Sequence, residues 1–348
     1  MKKALVTAAA VACTALPSFG FIKAESKSAI NKDGSARFNM VMEIDLSAPL
    51  AMMGQAGGKN PLGDGHDMLV QMVKGMSKNV DVWSEAKVEN TKGGATRVTL
   101  GGYTKDWLAM GDLKKAIAAS GNPSGVPLDE LPALKFMDLK TESGNNVITM
   151  AGLDDICLLL DAARKMALKK GENPGDMNVD EAEISQGLAQ VRAQWPGIKG
   201  FAAPLVKTIS FKSEIQVNGT ISETEVFKKN SDNTATFTFT GDQLLGLADQ
   251  IISDEELPSK IVKMVGEVKD NFSNEKSIKA VRTFLEPYVK EIYGGAVNPK
   301  IVYKAGADVF DYAAETEKAK AAQSDDLKAL IEEAGKDGGK VKLPGASK

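Results

Sequence analysis

Few residues in this 348-residue chain are of types that do chemistry, and their spacing narrows the choices at once. Histidine occurs once, as His66 in Gly63-Asp64-Gly65-His66-Asp67. Asp64, His66 and Asp67 are of the types that ligate metals, and His66 is of the type that serves as a base. A tight transition-metal shell needs more nitrogen or sulfur donors than one histidine provides. The segment is therefore expected to be a glycine-flexed loop closing on a helix cap at Asp67, with no metal and no cofactor. A Ser/His/Asp triad would have to draw on the same His66, and no G-x-S-x-G elbow accompanies it. Neither G-x-G-x-x-G nor a P-loop is present. Adjacent carboxylates (Asp154-Asp155, Asp254-Glu255-Glu256, Asp325-Asp326) stand where helix starts favour negative charge. To act as a glycoside hydrolase, two of them would have to converge across a cleft.

Methionine is the one remaining residue type with a pattern. Met40, Met42, Met52, Met53, Met68, Met72 and Met76 crowd the first quarter of the chain, and thioethers are soft ligands able to hold Cu(I). Met68, Met72 and Met76 fall at i, i+4 and i+8 beside Leu69 and Val73, which is the spacing of a helical core stripe. Met40 and Met42 alternate with polar residues on the same strand face as Phe38 and Ile44. If these side chains line a cavity rather than fill it, their flexibility suits an acyl chain or a partner helix. Phe38, Met40, Met68, Met72 and Met76 are thus the candidate ligand-binding residues.

The elements that must position them follow from turn signals and periodicity. Asn31-Lys32-Asp33-Gly34 separates Ile22–Ile30 from the alternating run Ala36–Leu46, a first hairpin. Val82–Glu89 and Thr96–Tyr103, around Asn90-Thr91-Lys92-Gly93-Gly94, form a second; Leu134–Thr141 and Val147–Met150, around Glu142–Asn146, a third. Ile209–Val217 and Thr220–Phe227 read as two strands turning at Asn218-Gly219, with Ala235, Phe237 and Phe239 on the strand after them. Helices are expected over 67–78, 107–119, 153–169, 181–195 (ended by Pro196-Gly197), 241–252, 258–270, 275–293 and 307–334. This is an α+β fold: a largely antiparallel sheet built from hairpins, helices packed on its apolar face, and a helical C-terminal region. Along the chain it divides into an N-terminal half (21–170) of three hairpin-helix units, an acidic loop and connecting helix (171–200), a C-terminal hairpin with helices (201–334), and a flexible tail (335–348).

The N-terminus bears on compartment. Lys2-Lys3, the apolar run Ala4–Leu16, and then Pro17, Ser18 and Gly20 have the three regions of a secretory signal peptide, with cleavage after Gly20 or, alternatively, after Ala24. Ala10-Val11-Ala12-Cys13 loosely matches a lipobox, which would make Cys13 a lipidation site. The usual Leu is missing, however, and the residues after Cys13 stay apolar. Cys157 is then the one cysteine of the mature body, expected as a small buried apolar residue. The 43 basic and 46 acidic residues nearly balance, for a formal charge of −3, and no basic block could neutralise several phosphates. Nucleic acid is not an expected partner.

Val217-Asn218-Gly219-Thr220-Ile221-Ser222-Glu223, followed by Asn233-Thr234-Ala235-Thr236-Phe237, resembles a hairpin pattern of LppM-like bacterial envelope proteins over about 35 residues. Asn218 stands where that family often has Pro and Phe237 where it often has Trp, and its C-terminal membrane helix has no counterpart here. The resemblance implies an exported, membrane-associated, non-catalytic domain that handles lipid. With the apolar stripes, it leads to the expectation of a bacterial periplasmic or envelope protein, not an enzyme, that binds a lipid-like ligand or another envelope protein and associates peripherally with membrane. A carboxylate-based hydrolase and a Met-based copper binder are the alternatives.

Overall fold

The computed structural model describes residues 21–45, 65–91, 94–110, 137–155, 157, 180–270 and 275–335. The chain is an α+β protein. Strands β1 (Phe21–Ile30) and β2 (Ala36–Asp45) form the first hairpin, closed by Gly34 at φ 85°, a conformation that costs glycine little. Helix α1 (His66–Met76) leads to the second hairpin, β3 (Val82–Asn90) and β4 (Thr96–Thr104), whose β4 inserts between β3 and β2. Helix α2 (Trp107–Met110) follows, and the rest of the helix expected over 107–119 lies outside the described residues. The third hairpin, β5 (Met137–Glu142) and β6 (Asn145–Met150), turns on two left-handed residues, Ser143 and Gly144, the pairing that suits the twist of a two-residue loop.

Helix α3 (Glu181–Val206) is longer than its sequence suggests. Asp180 caps it, accepting from the Ala182 N–H at 2.9 Å. It then runs through Pro196 and Pro204 instead of ending at Pro196-Gly197. Each proline frees one carbonyl four residues back, those of Arg192 and Gly200, which lie on half-buried or exposed parts of the helix where water can take over. The helix therefore passes straight through position 200, where the connecting segment was expected to end.

Asn218-Gly219 does not close the expected hairpin. The strands flanking it, β7 (Ser210–Val217) and β8 (Gly219–Glu225), do not pair with each other. β7 pairs parallel with β1 and antiparallel with β10 (Thr234–Thr240), whereas β8 pairs antiparallel with β11 (Lys300–Ala305). The dipeptide carries the chain from one sheet to the other. Gly219 is needed there because a Cβ would overlap the carbonyl oxygen of Lys304. Two sheets result, ordered β3-β4-β2-β1-β7-β10-β9, with β9 (Lys228–Lys229) a two-residue edge, and β5-β6-β11-β8. Both draw strands from either side of residue 200.

Helices α4 (Gly241–Ser253), α5 (Leu257–Asp270) and α6 (Glu275–Ile292) follow β10 as expected. The Thr240 N–H donates to Gln243 Oε1 at 2.7 Å in a capping box, while Gly241 sits against the Val206 carbonyl with no room for a Cβ. β11 lies where a helical region was expected. The continuous helix expected over 307–334 is two, α7 (Tyr312–Ala322) and α8 (Asp325–Gly335), separated by Gln323 and Ser324.

Pairwise register puts one apolar face on the seven-stranded sheet. Over one part of it the four-stranded sheet packs through Ile148, Ile221, Ile301 and Tyr303 against Ile30, Ile215, Val217 and Phe237. Over another part α1 and α8 cover β2, β3 and β4.

Candidate functional site

All five candidate ligand-binding residues come together under α1 and α8. α1 buries Leu69, Val70 and Val73, its neighbour α8 buries Leu327, Leu330 and Ala334, and β4 supplies Val98 and Leu100 from below. Phe38 is buried among them, its ring edge-on to Trp83 with centroids 6.1 Å apart and planes at 80°. Met40, Met68, Met72 and Met76 pack around this floor while remaining half-buried. Met42 and Met110 do the same, so three separate elements each present thioethers to one cluster. Met42 was legible as a strand-face residue. Met110 and Trp83 carried no periodic signal that tied them to it.

The register shows a second feature beside this rim. Paired residues across strands share a face, so one row reads Val98, Met42, Ala24, Phe211, Phe239 and the next Leu100, Met40, Ser26, Ser213, Phe237. A third reads Phe38, Ser28, Ile215, Ala235. Along β1 the side chains are Ala24, Ser26 and Ser28, a lane of small half-buried groups about 14 Å long at the strand rise. Bulky methionines stand along its β2 side. Toward β7 and β10 it is bordered by Phe211, Phe237 and Phe239, with the Phe211 and Phe237 rings 6.0 Å apart. One polar contact crosses the lane, Ser26 Oγ donating to Ser213 Oγ at 3.0 Å. Lys23, Glu25 and Lys27 alternate onto the opposite, exposed side of β1. The alternation of Ala24, Ser26 and Ser28 was visible in sequence. Its placement between bulky neighbours depends on the parallel β1–β7 register, which no local pattern encodes.

The other chemistry-bearing residues lie elsewhere and are locally engaged. His66 is the exposed first residue of α1; its N-cap is Gly65 at φ 83°, and Asp67 falls in the first turn instead of capping it. Position 65 has no room for a side chain, since a Cβ there would press on Val88 and Thr96. His66 Nε2 lies 3.2 Å from Glu333 Oε2 of α8. Asp154 pairs with Arg282 and accepts from Asn298 Nδ2 at 2.9 Å, while Asp155 accepts from the Gly152 N–H at 2.9 Å. Asp254 accepts from Lys260, from the Glu256 N–H and from the Tyr288 hydroxyl at 3.2 Å. Burial alone would raise the Asp254 carboxyl, but these donors outweigh it and hold the group below the usual carboxylate range. Cys157 is buried beside Leu153 and Val289, and burial pushes its thiol up, away from thiolate reactivity. Among the described residues no three of His, Cys, Asp or Glu gather as a metal site, and no helix is long and apolar enough to cross a membrane. Asp64, Met52, Met53 and Cys13 lie outside the described residues.

Compared with family models, curated proteins and solved structures, the chain shows no match to any of them.

Proposed function

We propose that this chain is an exported, non-enzymatic component of a bacterial envelope that binds an apolar, lipid-like ligand. The observation that carries the proposal is the convergence of six half-buried methionines from β2, α1 and α2 on one buried apolar floor beside the small-residue lane of β1. Thioethers adapt to irregular apolar shapes at little cost, and a lane without large side chains leaves room along the sheet for a chain-like group. The signal-like N-terminus supports the same reading. Another envelope protein is the second partner considered, because a methionine-rich surface also receives helices.

The first experiment is native mass spectrometry of the protein expressed with its own N-terminus and recovered from soluble and membrane fractions. A chain beginning at Phe21 with a lipid-sized adduct is expected. Cleavage after Gly20 keeps β1 whole, whereas cleavage after Ala24 removes four of its register pairs with β2. A diacylglyceryl mass on Cys13 would overturn the cleavage assignment, and a bare chain from both fractions would overturn lipid binding in favour of a protein partner.

A further inference from the structure

We propose that α8 is a displaceable cover over the methionine-rimmed cluster, and that an apolar ligand enters by lifting it; this rests on the apolar-ligand function proposed above. α8 buries three of its eleven residues, Leu327, Leu330 and Ala334, all on one stripe. Its apolar stripe packs on α1 and on the cluster that β2, β3 and β4 supply. Its polar contacts include His66 Nε2 near Glu333 Oε2, and at the joint ahead of it Gln323 Nε2 donates to the Trp83 carbonyl at 2.8 Å. Segments with few buried contacts and water-accessible hydrogen bonds are the ones that open locally at low free energy.

The arm is fastened at its other end. Ahead of α7, Asn31 holds residues 309 and 310: its Oδ1 accepts from the Val309 and Phe310 N–H groups and its Nδ2 donates to the Phe310 carbonyl. The Tyr312 hydroxyl donates to Asp81 at 2.9 Å, and Arg37 and Tyr103 both bond Glu315. Between this anchored base and α8 stand only Gln323, whose extended backbone (ψ 125°) breaks the helix, and Ser324. A fixed base, a two-residue joint and an amphipathic helix held by one apolar stripe make up a hinged cover. Beneath it, methionines can repack around whatever replaces the leucines.

The test uses the full chain and cis-parinaric acid, a fluorescent single-chain fatty acid, in two arms. In the first, Leu327→Ser with Leu330→Ser loosens the cover, and parinarate affinity is expected to rise about tenfold or more as the competent fraction grows. In the second, hydrogen exchange of the unsubstituted chain is followed with and without parinarate. The amides of α8 are expected to exchange about tenfold faster with ligand bound while those of α1 slow. Should the double variant unfold, the exchange arm decides alone. Parinarate bound equally by both chains, with α8 protection unchanged, would refute the cover and leave apolar binding standing. No binding to either chain would refute the apolar-ligand function, and the cover with it.

Discussion

Truncating Leu100 should cost much less than truncating Ile215, although both side chains are fully buried in the same sheet and each loses three carbons on substitution by alanine. Large-to-small changes of this kind cost about 2–5 kcal/mol, and the position within that range depends on how far the surroundings collapse into the cavity. Leu100 lies directly across from Met40 in the register and packs in the cluster that Met42, Met68, Met72 and Met76 surround. These unbranched side chains have three torsions each and a half-exposed end from which to move inward. Ile215 sits among Ile30, Phe237, Ile301 and Tyr303 where two sheets meet, with Phe227 and Phe237 rings 5.8 Å apart. Stiff β-branched and aromatic groups held between sheets leave their cavity open. We therefore expect about 2–3 kcal/mol for Leu100→Ala and about 4–5 kcal/mol for Ile215→Ala. Equilibrium urea unfolding followed by both fluorescence and circular dichroism checks this, provided the two signals coincide and the slope is unchanged. Equal costs at the two sites would show that the methionine rim is as rigidly packed as the inter-sheet core, and would remove the physical basis for an adaptable binding surface.

Three further outcomes are expected. Ser26→Leu fills the lane on β1 and should abolish parinarate binding while shifting the thermal midpoint by only a few degrees; retained affinity would place the ligand elsewhere. Asn31→Ala removes three hydrogen bonds to the 309–310 backbone and leaves buried peptide groups unpaired, so a loss of about 3 kcal/mol is expected in urea unfolding, and a loss under 1 kcal/mol would argue that water replaces the side chain. All five tyrosines have hydroxyls raised above the ordinary value of 10, burial being the first cause for each; Tyr288, near the Asp254 carboxylate, is pushed up to about 12. The folded state thus retains protons that the unfolded chain gives up, so this stabilisation is complete below pH 10 and falls as pH rises from about 10 toward about 12. Tyrosinate absorbance should appear together with loss of structure, and an ordinary titration near 10 by a chain that stays folded would contradict the burial.

Local features read well from the sequence because their causes are local. Gly34, Gly94 and the Ser143-Gly144 pair announce hairpins through positive φ, and the alternation at Phe38, Met40 and Met42 gives the buried face of β2 correctly. The i, i+4, i+8 methionines lie on α1 as spaced. What failed depends on distant partners. Asn218-Gly219 carries a turn signature, but its glycine answers to the Lys304 carbonyl some 85 residues away rather than to a positive φ, and the strands on either side belong to different sheets. β11 has no signal of its own because Ile301, Val302 and Tyr303 form a run too short to show a period, and only pairing with β6 and β8 on both sides makes it a strand. The candidate site divides along the same line. Its methionine stripe is periodic and so was legible, whereas its lane exists only because Ala24, Ser26 and Ser28 meet Phe211, Ser213 and Ile215 in a parallel register set by the whole fold. The side chains that characterise the lane are the least conspicuous in the chain, since what they contribute is the absence of bulk.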